Sequence, residues 1–148
     1  MYEGTLQLDS QYSAAWIGLC KAYTSLGRFQ QALEACEKVR ATGAAEPTFV
    51  ESQLVQVYAD AGRLRDAGRH LKALQARYDA SPTGDTAFWL ALAYVSLGDA
   101  DRAFTWLDEA IAKRSSRLLY ARVDARLDPI RQDPRFADRR DRMESAYR

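Results

Sequence analysis

The sequence predicts an all-α fold, an α-solenoid of antiparallel helical hairpins closed by C-terminal capping helices. Three observations predict it. First, a tyrosine is followed four residues later by a glycine and five after that by an alanine in three places: Tyr23-Gly27-Ala32, Tyr58-Gly62-Ala67 and Tyr94-Gly98-Ala103. The tyrosines are 35 and 36 residues apart while the interior spacing never changes, the pattern of stacked supersecondary units. Second, apolar residues flank each triplet at helical spacing. Third, Ala32, Ala67, Ala91, Ala103 and Ala110 recur where the two helices of a hairpin must approach closely. A larger side chain there would push the helices apart, costing about 1–3 kcal/mol.

The elements follow in order. Residues 13–26 form the first predicted helix, with Ala14, Trp16, Ile17, Leu19, Cys20, Ala22 and Tyr23 at helical spacing. Gly27 ends it as a left-handed cap. A tight turn leads to a second helix from Phe29 to Arg40, with Ala32, Leu33, Cys36 and Val39 on one face. So short a connection forces the pair antiparallel. Pro47 opens the next helix at a first helical position, followed by Phe49, Val50, Leu54, Val55, Val57 and Tyr58. Gly62 closes it, and Leu64 to Tyr78 is its partner, with Ala67, Leu71 and Leu74 inward. The breaker-rich run from Ala80 to Asp85 reads as a loop. The third hairpin is expected from Thr86 to Gly98 and from Asp101 to Lys113. A hairpin this small cannot bury its own apolar face, so each must stack on the next.

Trp16, Leu19, Tyr23, Gly27, Ala32 and Cys36 resemble the tetratricopeptide repeat, whose pattern is W-x2-L-G-x2-Y…G…A-x3-F. Leu54, Tyr58, Gly62, Ala67 and Leu71 match it in a second copy, where Glu51 replaces the aromatic; Leu90, Tyr94, Gly98, Ala103, Leu107 and Ala110 match in a third. The resemblance covers residues 1–113 and implies a superhelix of such repeats. The expected organisation is a half repeat at 1–10, repeats at 13–46, 47–82 and 83–113, and a capping segment at 114–148. In the half repeat, Tyr2 and Thr5 face inward, and Leu6-Gln7-Leu8-Asp9-Ser10 is similar to the L-x-L-D-P ending of these repeats. A fragment cut from a longer protein is the expectation.

At the other end, Asp128-Pro129 and Asp133-Pro134 each place a capping aspartate before a proline. The second pair opens a final helix over 134–147, with its arginines expected outward. Leu118, Leu119, Tyr120, Val123, Leu127, Ile130 and Phe136 are available to cover the end of the stack. The stretch from Val123 to Phe136 resembles the "VDPRFDPLRSDPRF" ending of bacterial multidomain regulators, with Ala125 where proline is usual. That resemblance implies the sensory or docking part of such a protein.

Composition narrows the function. Apolar residues are 47% and charged residues 28% of the chain, the balance of a soluble globular protein. A net charge of +1 argues against a general nucleic-acid or membrane-surface binder. Residues 112–148 nevertheless hold 11 Lys+Arg against 6 Asp+Glu, leaving 10 against 14 for residues 1–111. Two cysteines, Cys20 and Cys36, are too few for a disulfide framework and fit a reducing compartment as two buried thiols, with a redox pair between adjacent helices as the alternative. No apolar run reaches the ~20 residues of a membrane span. The N-terminus carries no secretion signal, so the cytoplasm is expected.

Catalysis has little support. His70 is the only histidine and lacks metal-ligand partners, so a surface or helix-packing role is expected. Asp108-Glu109 reads as a solvated acidic pair. No phosphate-cradling glycine loop exists, and neither a cofactor nor a metal is implied.

Binding has more. In a stacked array the first helices line the concave face. The phase puts Ile17, Lys21, Thr24, Phe49, Gln53, Gln56, Asp60, Phe88, Trp89 and Leu92 there. Trp89 is either a groove anchor or, with Phe88, core; Gln53 and Gln56 could bond a ligand backbone. The chaperone-tail clamp of some repeats needs lysine, asparagine and arginine where this chain has Ile17, Lys21, Gln53, Asp85 and Trp89, so that ligand is not expected. The leading expectation is a non-enzymatic module that binds a peptide or partner domain. The alternatives are self-association, through Leu6 and Leu8 or the C-terminal end, and nucleic-acid contact by the arginine-rich last helix.

Overall fold

The computed structural model describes residues 13–43 and 45–145, and it shows what the tyrosine–glycine spacing is for. The carbonyl of Tyr23 accepts from the Arg28 amide at 2.9 Å, while the Gly27 amide donates to Thr24 at 3.1 Å. The same two bonds recur at Tyr58 (Arg63 amide, 2.8 Å) and Tyr94 (Asp99 amide, 3.0 Å). This pair of bonds is the Schellman ending of a helix, which needs one left-handed residue. Gly27, Gly62 and Gly98 supply it at φ 73°, 77° and 75°. The residue after each glycine then starts the next helix: Arg28, Arg63 and Asp99 accept from Ala32, Ala67 and Ala103. Each triplet is thus one continuous turn, from the last carbonyls of one helix to the first bond of its partner.

The helices are α1 Ser13–Ser25, α2 Phe29–Thr42, α3 Pro47–Asp60, α4 Leu64–Ala80, α5 Gly84–Ser96, α6 Ala100–Ala112 and α7 Pro134–Ser145. Two 3₁₀ turns, Ser116–Tyr120 and Ala125–Ile130, lie between α6 and α7. The described residues contain no strand, so the fold is an all-α helical repeat. Two compact units divide within α4, the first ending at His70 and the second beginning at Leu71. The expected half repeat at 1–10, with Tyr2, Thr5, Leu6 and Leu8, lies outside the described residues.

In the first unit, α1 and α2 form a hairpin and α3 packs against both. Ala32, Ala35 and Val39 of α2 are buried, as are Ala15 and Leu19 of α1. Cys20 and Cys36, also buried, are joined in a disulfide with their Cα atoms 5.1 Å apart. This corrects the reading of two thiols. In the repeat pattern their positions are those of a small residue and a large apolar one, so opposed cysteines fall within bonding reach.

In the second unit, α5 and α6 form the hairpin, and both 3₁₀ turns pack on α5. Ala91, Ala103 and Ala110 are fully buried in it. The end of α4 joins this unit through Tyr78, whose ring meets Trp106 edge-on and whose hydroxyl donates to Glu109 at 2.9 Å. Burial, then that bond and the carboxylate's charge, push the Tyr78 phenol up to about 12.

The expected loop from Ala80 to Asp85 is shorter than its composition implied. Helix α4 runs through Ala80 and α5 starts at Gly84, because the Thr83 hydroxyl caps the Thr86 amide at 3.1 Å. Asp85 is therefore helical. Its Oδ1 accepts from the Ser115 hydroxyl at 2.6 Å and the Ser116 amide at 2.9 Å, and its Oδ2 accepts from the Ser116 hydroxyl at 2.9 Å. Burial acts to raise its pKa, but the hydrogen bonds from Ser115, Ser116 and Arg117 outweigh that and hold the carboxyl below its ordinary value.

This junction demands the glycine beside it. A Cβ on Gly84 would lie 2.8 Å from the Ser115 nitrogen and 2.9 Å from the Lys113 oxygen, both backbone atoms with no easy retreat. Gly84→Ala should destabilise the protein by about 1–3 kcal/mol. Gly68→Ala is the control, since nothing lies within 4 Å of its added Cβ and it sits inside α4. It should instead gain up to about 1 kcal/mol from helix propensity. Urea unfolding of the two variants would show shifts of opposite sign.

The C-terminal segment departs from expectation in three ways. Leu118, Leu127, Ile130 and Phe136 are buried as cover, but Leu119, Tyr120 and Val123 are exposed. Pro129 lies inside a 3₁₀ turn capped by Asp124, whose side chain accepts from the Arg126 amide, so Asp128 is not the cap. The arginines of α7 are not simply outward. Arg139 makes a fork of two bonds to Asp108 at 2.8 and 2.9 Å, Arg142 joins the same carboxylate, and Arg135 reaches Asp101 at 2.7 Å. The guanidiniums of Arg135 and Arg139 lie over the ring of buried Phe104, 4.6 and 4.8 Å from its centre. Asp108 and Glu109 are consequently interhelical partners, not the solvated pair expected. Asp133 does cap α7, accepting from the Arg135 amide at 2.9 Å.

Candidate functional site

The residues proposed for a groove fall in both units. In the first, α1 and α3 lie side by side. Lys21 is exposed on α1, with its ammonium 5.5 Å from the centre of the Phe49 ring on α3, a cation–π arrangement over a buried aromatic. Ile17 and Gln56 are half-buried and Asp60 is exposed. Thr24 is buried with its hydroxyl donating to the Cys20 carbonyl at 2.7 Å, a bond internal to α1. Gln53 is 2% exposed and donates to Gln56 at 3.1 Å, so these two amides bond one another. Ile17, Lys21, Gln56 and Asp60 remain as side chains that reach the surface here.

In the second unit the three candidates on α5 are covered. Phe88 and Leu92 are buried in the hairpin core. Trp89, 5% exposed, meets Phe88 edge-on and is roofed by the Arg117 guanidinium, 4.9 Å from its ring. The first 3₁₀ turn of the C-terminal segment supplies that roof. Sequence phase alone could not show it, because the turn follows the last repeat and has no counterpart in the others.

One cluster was not anticipated. Glu51, buried on α3, holds His70 of α4 through a 2.6 Å contact between its Oε2 and Nδ1, and receives Arg40 of α2 at 3.4 Å. The imidazole stacks flat on Tyr58, ring centres 5.4 Å apart. The expected helix-packing role of His70 is the one it has. The available signal was Glu51 itself, a carboxylate on an otherwise apolar face that had to find a buried partner. A carboxylate–imidazole pair can pass a proton, but its surroundings here are packing groups. Among the described residues no three His, Cys, Asp or Glu side chains are gathered to hold a metal.

Residues 53–117 match the family model described as tetratricopeptide repeat. The match supports a tetratricopeptide repeat in this segment. No curated protein and no solved structure matches the chain. The first hairpin lies outside the matched segment, yet its turn has the same Schellman bonds and left-handed glycine as the two tetratricopeptide turns within it. Tetratricopeptide repeats are generally protein-interaction units. Just before the matched segment, Glu51 stands at the phase of Trp16 and Ala87. Where Trp16 places a ring, this position places a carboxylate, and His70 is the group that meets it.

Proposed function

We propose that the chain is a non-catalytic interaction module that binds a peptide or partner domain on the face formed by α1 and α3. The observation that carries this reading is the juxtaposition of Lys21, Phe49, Gln56 and Asp60, an aromatic seat under a cation beside a polar rim. Such a face offers both a charge and hydrogen-bonding groups to an extended backbone. Trp89, which the sequence left open between groove anchor and core, is buried and is not part of this face. In a complex obtained by pull-down and purified, Lys21→Glu should weaken binding by about tenfold and Gln56→Ala by less. Unchanged affinity in both variants, measured by calorimetry, would remove this face from the site.

The likeness of residues 123–136 to the endings of bacterial multidomain regulators supports placing the module in a larger regulatory protein of that kind. Self-association is the second reading, favoured by exposed Leu119 and Val123. Nucleic-acid contact by α7 loses support, since Arg135, Arg139 and Arg142 are engaged by Asp101, Asp108 and Asp133. No helix among the described residues is long and apolar enough to cross a membrane. The cytoplasmic expectation loses the support of the cysteines, because a bonded pair is the habit of oxidising compartments.

A further inference from the structure

A cleft of about 470 Å³ opens in the C-terminal segment between the first 3₁₀ turn and α7. Leu118, Phe136 and Met143, all buried, provide its apolar walls, and Leu119 stands in its lining at 59% exposure. Arg122, Arg131 and Arg140 also line it, against one lining carboxylate, Glu144. A volume of this size is in the range that takes a large side chain or a small ligand.

The arginines from Arg122 to Arg142 sort into two groups. Arg126 is bound to Ser96, Arg131 to Asp128 and to the Ala121 and Asp124 carbonyls, Arg135 to Asp101 and Asp133, and Arg139 and Arg142 to Asp108. Each of these holds the fold together. Arg122 and Arg140 differ: both are exposed, and neither has a carboxylate within ion-pair distance among the described residues. Arg140 only lies over the Phe136 ring, at 5.7 Å. Two cations not used by the fold therefore border the same apolar cleft. Exposed Val123, beside Arg122, extends the apolar surface past the cleft mouth. Bulky apolar groups interleaved with arginine are the composition of an interface core.

We propose that this cleft is a second docking site, for an acidic segment of a partner protein that inserts a leucine or phenylalanine against Leu118, Phe136 and Met143 and sets its carboxylates on Arg122 and Arg140. Charge decides the occupant: with Arg131 taken up by Asp128, the lining still carries the guanidiniums of Arg122 and Arg140 against the one carboxylate of Glu144, which favours an acidic peptide over a basic or neutral one. The site lies beyond the matched repeat and does not depend on the α1–α3 face.

Fluorescence anisotropy with a labelled Glu-Glu-Leu-Phe-Glu-Glu peptide tests it. The comparison ligands are the same peptide with lysine for glutamate, the same with serine for leucine and phenylalanine, and a short single-stranded DNA. The acidic apolar peptide should bind saturably and more tightly than all three. Arg122→Glu and Arg140→Glu should each weaken it about tenfold, while Lys72→Glu, an exposed reversal outside both proposed sites, leaves it unchanged. Both arginines are exposed, so thermal melts of the variants should match the unsubstituted protein. The proposal is overturned if the peptide does not saturate, if either arginine reversal leaves its affinity unchanged, or if the serine peptide or the DNA binds equally well.

Discussion

Reducing the Cys20–Cys36 disulfide is expected to cost the first hairpin about 3 kcal/mol, the value for a loop of roughly this length. The bond spans 16 positions and ties α1 to α2 at mid-helix. Without it the pair is held by Ala15, Leu19, Ala32, Ala35 and Val39, mostly small side chains with modest area to bury. Urea unfolding with and without a phosphine reductant reads the effect, and Cys20→Ser/Cys36→Ser should reproduce the reduced protein. Amide exchange should quicken across 13–42. If the reduced and oxidised proteins unfold at the same urea concentration, the bond contributes nothing to folding.

Replacing Phe104 should be as damaging in the second unit. Its buried ring fills the contact between α6 and α7 and lies beneath two guanidiniums, so Phe104→Ala removes apolar area and leaves a cavity under Arg135 and Arg139. The expected loss is about 3–5 kcal/mol. Phe104→Leu, which keeps most of the volume, should lose appreciably less. Because α7 rests on this ring, limited proteolysis of Phe104→Ala should cut near residues 131–134 sooner than in the unsubstituted protein. Equal cleavage rates would show that the Asp108 fork alone secures the helix.

The repeat was legible because its turns are local chemistry. Tyr23, Gly27 and Ala32 take part in three backbone bonds that lie within ten residues of one another, and such a motif recurs unchanged wherever it is used. What the sequence hid depends on partners far along the chain. Asp85 looked like loop until Ser115 and Ser116 came to it, and Gly84 looked like a breaker until the backbone at 113–115 packed against it. Trp89 resembled a binding anchor for the same reason: its roof, Arg117, comes from a segment with no repeat phase to read. The disulfide was hidden by counting. Two cysteines say little by number, and only the facing of α1 and α2 brings Cys20 to Cys36.

The division of labour among the arginines also makes the chain respond to ionic strength in two directions. The Asp101–Arg135 pair is largely solvated, so added salt screens it, whereas the mostly buried Arg139 guanidinium is shielded from that effect. The hairpin interiors are mainly alanine, leucine and valine; excluded salts such as sulfate tighten them by raising the cost of exposing apolar surface. Sodium chloride and sodium sulfate are therefore not interchangeable buffers for this protein. Both screen the outer fastening of the last helix, but only sulfate also firms the hairpin interiors.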